Sequence, residues 1–110
     1  MTTAQAPQII NQYLHAASIQ DSQACAACFT PQGTVLDEGK TYKGREEIRA
    51  WRESVRSQWS YTTTITGSEA VSDTEYRVTA DVDGNFPGGH ASLTFSFSLH
   101  DGLIADLRIM

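Results

Sequence analysis

Basic charge, cysteine and long apolar runs are all scarce in this chain of 110 residues. Eight Lys and Arg against thirteen Asp and Glu leave a net charge of −5, which argues against a nucleic-acid groove or an anionic membrane surface as partner. No segment approaches the ~20 consecutive apolar residues of a membrane span. The opening MTTAQAPQIINQ has neither the basic leader nor the apolar run of a signal peptide, so the expected location is cytoplasmic. A zinc site needs about four ligands. The two cysteines form Cys25-Ala-Ala-Cys28 with no second Cys pair and no His pair at ligand spacing, and His15, His90 and His100 are scattered. A thioredoxin-like use of the same motif needs a helix N-terminus after a strand. Here it falls inside a helical run from Asp21 to Phe29, so both thiols read as small packing residues in a reducing compartment. Neither a metal nor a cofactor is expected.

What is present is enough apolar material, 40% of residues, for one compact domain spanning 1–110. The order is helices first and strands last. Ile9, Ile10, Tyr13, Leu14 and Ala17 recur at helical spacing over about 4–19. Asp21 caps a second, short helix running to Phe29, and Thr30-Pro31-Gln32-Gly33 stops it. A short strand, Thr34 to Glu38, leads through a Gly39-Lys40 turn and Gly44 to a third helix from Arg45 to about Gln58. On that helix Ile48, Trp51 and Val55 make a core face. Arg45, Arg49, Arg52 and Arg56, interleaved with Glu46, Glu47 and Glu53, read as a solvated face. From Ser60 the period becomes two. Tyr76, Val78, Ala80 and Val82 share one side of a strand, as do Leu93, Phe95, Phe97 and Leu99 of the next. Leu103, Ala105, Leu107 and Ile109 are expected to share a face of the last. The class is α+β, with helices packed on one face of a curved, mainly antiparallel sheet.

One carboxylate stands out. Val35 and Asp37 lie on the same side of their strand, because side chains alternate with period two. If Val35 points into the interior, so does Asp37, and a carboxylate in apolar surroundings resists ionisation and gains proton-transfer character near neutral pH. The other reading leaves the strand at an edge, with Asp37 in solvent or capping a turn.

Gln12-Tyr13-Leu14, Asp21, Phe29, Thr34-Val35 with Asp37, Gly44 with Ile48-Arg49 and Trp51, and finally Asp101-Gly102-Leu103-Ile104 together resemble the nuclear-transport-factor-2-like superfamily. That group holds the SnoaL-like polyketide cyclases, the ketosteroid isomerases, limonene epoxide hydrolase and non-catalytic association domains. The resemblance covers essentially the whole chain. It implies a cone-shaped roll with the N-terminal helices on the concave face of the sheet, and it places the family's general base on Asp37. The first-helix tyrosine of the oxyanion hole falls on Tyr13, twenty-four positions before Asp37. Trp51 takes the place of a pocket-lining aromatic. A second, protonated acid completes the oxyanion hole of ketosteroid isomerases. Where it belongs this chain has Phe95, and loss of such a donor commonly costs ~3 kcal/mol of transition-state stabilisation. The terminal-strand acid of the epoxide hydrolase relay falls near Ile109 and is absent.

Function follows as an expectation. Asp37 removes a proton next to a carbonyl and Tyr13 donates to the enolate oxygen, in a cavity lined by Trp51, Val55, Tyr76, Val78, Leu93, Phe95 and Phe97. The reaction class is a cofactor-free isomerisation, dehydration or cyclisation of a small hydrophobic carbonyl compound. The alternatives are a non-catalytic carrier of such a ligand and an association module. A homodimer is expected, and the Ser- and Thr-rich sheet face is either solvent-exposed or a dimer interface, the latter being the association-module reading.

Overall fold

The computed structural model describes residues 7–110. Three helices come first: α1 (Gln8–Ser18), α2 (Ser22–Ala27) and, after a hairpin, α3 (Arg45–Gln58). Residues 4–6 of the expected first helix lie outside the described residues. The strands are β1 (Phe29–Asp37), β2 (Lys40–Lys43), β3 (Tyr61–Ala70), β4 (Glu75–Gly84), β5 (His90–His100) and β6 (Leu103–Ile109). They form one curved, unclosed sheet in the order β2-β1-β6-β5-β4-β3, antiparallel throughout except for the parallel pair β1 and β6. The architecture is thus the α+β roll that the resemblance implies.

Local chemistry sets the boundaries. Asp21 caps α2 by accepting from the Ala24 amide at 3.1 Å. The β1–β2 hairpin turns on Glu38 and Gly39, whose φ angles of 52° and 78° suit a turn with two left-handed residues. Gly84 is required for a different reason: a Cβ there would collide with the Ser60 carbonyl oxygen.

Four expectations need correction. Phe29 starts β1 instead of ending α2, because it pairs with Ile104 of β6. β1 is accordingly longer than expected, and Pro31 and Gln32 loop out exposed between its two pairing blocks. The sequence reading missed β2, a four-residue edge strand with only Tyr42 half-buried. On β6, Ser98 pairs with Asp106 but Leu99 with Ile104, so Ala105 is an extra residue and the side-chain alternation breaks there. The fully buried pair on this strand is therefore Ile104 and Leu107, with Leu103 and Ala105 only half-buried.

The fourth correction matters most for function. Arg52 is not on the solvated face of α3 but buried, 5% exposed, beside Trp51. Ile48, Trp51, Arg52 and Val55 occupy positions i, i+3, i+4 and i+7, which is the core-facing stripe. Arg45, Arg49 and Arg56 lie off it.

One core unites the layers: Ile10, Tyr13 and Ala16 from α1, Cys25 from α2, Ile48 and Trp51 from α3, and Val35, Val78, Phe97, Ile104 and Leu107 from the sheet. The convex face carries the polar rows, including Ser96, Ser98, Arg77 and Arg108.

Candidate functional site

Asp37 is the last residue of β1, and β1 is an interior strand between β2 and β6. Val35, two residues earlier, is fully buried, and Asp37 itself is half-buried on the helix side. Its Oδ2 accepts a hydrogen bond from the Trp51 indole Nε1 at 3.1 Å. Trp51 in turn stacks on Tyr42 of β2, with ring centroids 5.8 Å apart and planes 28° from parallel. The edge strand thus has a use: it props the indole that holds the carboxylate. Burial pushes the Asp37 carboxyl above its ordinary value, with the Trp51 hydrogen bond pulling it back, the neighbouring Glu38 charge pushing it up and the Arg52 charge pulling it down.

Tyr13 lies deeper. It is 1% exposed, with its ring edge-on to Phe29 at 5.7 Å and to Phe97 at 5.9 Å. Its hydroxyl is within electrostatic reach of Arg52, Cys25, Tyr61 and Asp37. Burial is the main reason that its phenol is held well above the ordinary range, against the pull of Arg52. The hydroxyl therefore keeps its proton at neutral pH and is available as a hydrogen-bond donor.

Arg52 reaches this region from α3. Its Nη2 donates to the Tyr61 hydroxyl at 2.9 Å and to the Ala17 carbonyl at 3.4 Å, and its guanidinium carbon lies 5.2 Å from the centre of the Trp51 ring. Burial opposes the charge, and the Tyr13, Tyr61 and Cys25 groups around it favour it, so that the guanidinium stays protonated. Sequence reading assigned Arg52 no role, although its i+4 place after Ile48 carried the signal.

Trp51, Val78, Phe95 and Phe97 belong to the buried cluster, and Val55, Tyr76 and Leu93 pack against it half-buried. The structure therefore brings the seven expected lining residues to one core. Two surface depressions of about 340 Å³ each lie elsewhere: one between α2 and α3, bordered by Gln23, Arg45 and Arg49, the other on the convex face near Arg77, Ser96 and Asp106. Neither touches Asp37, Tyr13 or Trp51. Cys25 and Cys28 are free and buried, and burial pushes the Cys25 thiol up to about 11. Asp106 is half-buried on the convex side, accepting from the Thr34 hydroxyl at 2.6 Å and from Arg108 Nε at 3.2 Å. Among the described residues no helix is long and apolar enough to cross a membrane.

Comparison with known proteins gives these residues a context. The model of the SnoaL-like domain matches residues 10–107. No curated protein matches the chain at a significant level. Among solved structures, a Sinorhizobium meliloti protein described provisionally as a polyketide cyclase is 36% identical, with a TM-score of 0.89 over 96% of this chain and 95% of that one. A Catenulispora acidiphila protein with a ketosteroid isomerase-like fold, solved with trimethylamine, is 19% identical, with a TM-score of 0.87 over 96% and 86% of the two chains. A computationally designed binder of 17-OHP is 17% identical, with a TM-score of 0.76 over 92% and 86%. At those lower identities the likeness is one of fold. A family match over nearly the full length and a relative aligned end to end agree that the chain belongs to the SnoaL-like domain family, within the nuclear-transport-factor-2-like superfamily.

Proposed function

We propose that this protein binds a small hydrophobic carbonyl compound and uses Asp37 as a general base on it, without a cofactor. The observation that carries the reading is the Asp37 carboxyl: half-buried, fixed by the Trp51 indole through one oxygen, and raised above its ordinary pKa. A raised carboxyl is a stronger base than an exposed one once ionised, and the indole leaves Oδ1 to take the proton. In the proposed step a C–H bond next to the carbonyl breaks, the proton goes to Asp37 and the electron pair moves to the carbonyl oxygen as an enolate. Tyr13 donates its hydroxyl hydrogen to that oxygen. Return of the proton to a different carbon gives an isomer, and attack by the enolate carbon on a second carbonyl gives a ring. The provisional cyclase description of the Sinorhizobium relative, and the ligands named for the two other neighbours, support a site for small molecules.

The test is proton exchange in heavy water. A panel of hydrophobic ketones beginning with 2-tetralone is followed by proton NMR with and without protein. Faster loss of the α-proton signal with wild type, abolished in Asp37→Asn and reduced about 10²–10³-fold in Tyr13→Phe, is the expected result. No exchange above the buffer rate for any ketone would count against the reading.

A second reading has its own observation. Tyr13 and Phe97 are almost completely buried, as in a filled core. Under this reading the domain associates with a second copy through the convex Ser and Thr face. A monomer by analytical ultracentrifugation at micromolar concentration would remove that alternative.

A further inference from the structure

Among the described residues Arg52 is the one cation buried in this core, and the groups it touches are neutral. It is 5% exposed, and its Nε has no hydrogen-bond partner. The groups it does touch are a phenol, a carbonyl oxygen, the Cys25 thiol and an indole ring. Among the described residues the arginines that find carboxylates are Arg49, Arg77 and Arg108, all at the surface, and Arg52 is not one of them. Asp37 acts on Arg52 only from a distance, since its Oδ2 is taken by Trp51.

A guanidinium cannot shed its charge as a buried lysine does. An unpaired buried cation is costly, and a polar N–H left without an acceptor adds to that cost. The position is the i+4 place in an apolar stripe, where Leu or Met would pack without either penalty. The Tyr61 hydroxyl accepts from Arg52 Nη2, which leaves its own proton free to be donated. The Arg52 Nε–H, which has no acceptor, and the Tyr61 O–H make a pair of donors suited to an anion.

Building on the reading of Asp37 given above, we infer that Arg52 and Tyr61 form the anion anchor of that site, and that the substrate is a small hydrophobic keto acid whose carboxylate Arg52 binds. The carboxylate accepts from Arg52 Nε–H and from the Tyr61 hydroxyl, and the apolar body lies against the Trp51 ring. The anchor holds the substrate by a group that does not react, leaving its carbonyl to Tyr13 and its acidic C–H to Asp37. A neutral ketone would lack this anchor and bind more weakly.

The test is binding, so it needs no turnover. The Arg52 Nε–H resonance, assigned by its loss in Arg52→Lys, is followed by nitrogen-15 NMR during titration with benzoate, phenylacetate and 3-phenylpropionate, each beside its primary amide. The expected result is that at least one carboxylate moves this resonance and binds about tenfold or more tightly than its amide, with the preference lost in Arg52→Gln. No carboxylate moving the resonance, amides binding as tightly as acids, or Arg52→Gln binding carboxylates as well as wild type would each overturn the anchor. If Arg52→Gln does not fold, the acid-against-amide comparison in wild type decides alone. Carboxylate binding at Arg52 without proton exchange on any carbonyl compound would leave the anchor and remove the general base. Exchange on 2-tetralone with no carboxylate preference would do the reverse.

Discussion

Replacing Arg52 by Met separates a ligand-binding arginine from a structural one. The substitution keeps the aliphatic stem and removes the charge. From the structure, the losses are the hydrogen bond to Tyr61 at 2.9 Å, the contact with the Trp51 ring at 5.2 Å and a weak bond to the Cys25 thiol. A bond from a charged donor contributes about 1.5–3 kcal/mol, and a cation over an indole about 0.5–2 kcal/mol. The Ala17 bond, at 3.4 Å, is long and contributes little. Against these stand the desolvation of a buried guanidinium, several kcal/mol, and the orphaned Nε, about 1–3 kcal/mol. The two sides roughly cancel, so Arg52→Met should change stability by no more than about 1 kcal/mol in either direction. An arginine built into the fold as half of a buried ion pair would instead cost about 3–5 kcal/mol on removal. Urea unfolding at pH 7, read by tryptophan fluorescence and far-ultraviolet circular dichroism, measures the difference. A loss of 3 kcal/mol or more would refute the view that this charge has no partner in the ligand-free protein.

Three further outcomes follow from the same side chains. Asp37 has a folded pKa raised by burial, so its ionised form opposes folding. Asp37→Asn should then be more stable than wild type at pH 7, and the gain should disappear as pH falls through the folded pKa towards the unfolded value of 3.8. Parallel urea titrations from pH 3 to 8 check the sign, and a gain that grows towards acid would contradict it. Trp51→Phe removes the donor that favours the carboxylate, so the Asp37 pKa should rise further, as carbon-13 NMR titration would show. Cys25 and Cys28 are buried and the Cys25 thiol sits at about 11, so a disulfide reagent at pH 8 should react no faster than the protein opens, and at once in denaturant. Rapid native labelling would overturn that.

Much of the fold is legible in the sequence because its elements are amphipathic with clean periods. β4 and β5 alternate without interruption, so Val78 and Phe97 were identifiable as core residues. α3 begins after Gly44 and ends at Gln58 as its pattern indicated, and Asp21 caps α2 through its own side chain. Asp37 was legible for the same reason, since it inherits its direction from Val35. Bulges are harder to read. Nothing in Leu103-Ile104-Ala105-Asp106 marks Ala105 as the extra residue, because the bulge is defined by the partner strand β5.

The amino-acid pattern by itself determined that helices precede a twisted sheet, which faces are apolar, and that one carboxylate shares a face with a buried valine. These are local consequences of side-chain spacing. Tertiary packing alone decided that β1 lies beside β6, that Trp51 meets Asp37 across fourteen residues of chain, and that Arg52 ends among Tyr13, Cys25 and Tyr61. An arginine on a helix reads as solvated until the sheet and the other helices close over it. Its burial is a property of what surrounds it, set by elements as distant as Ala17 and Tyr61.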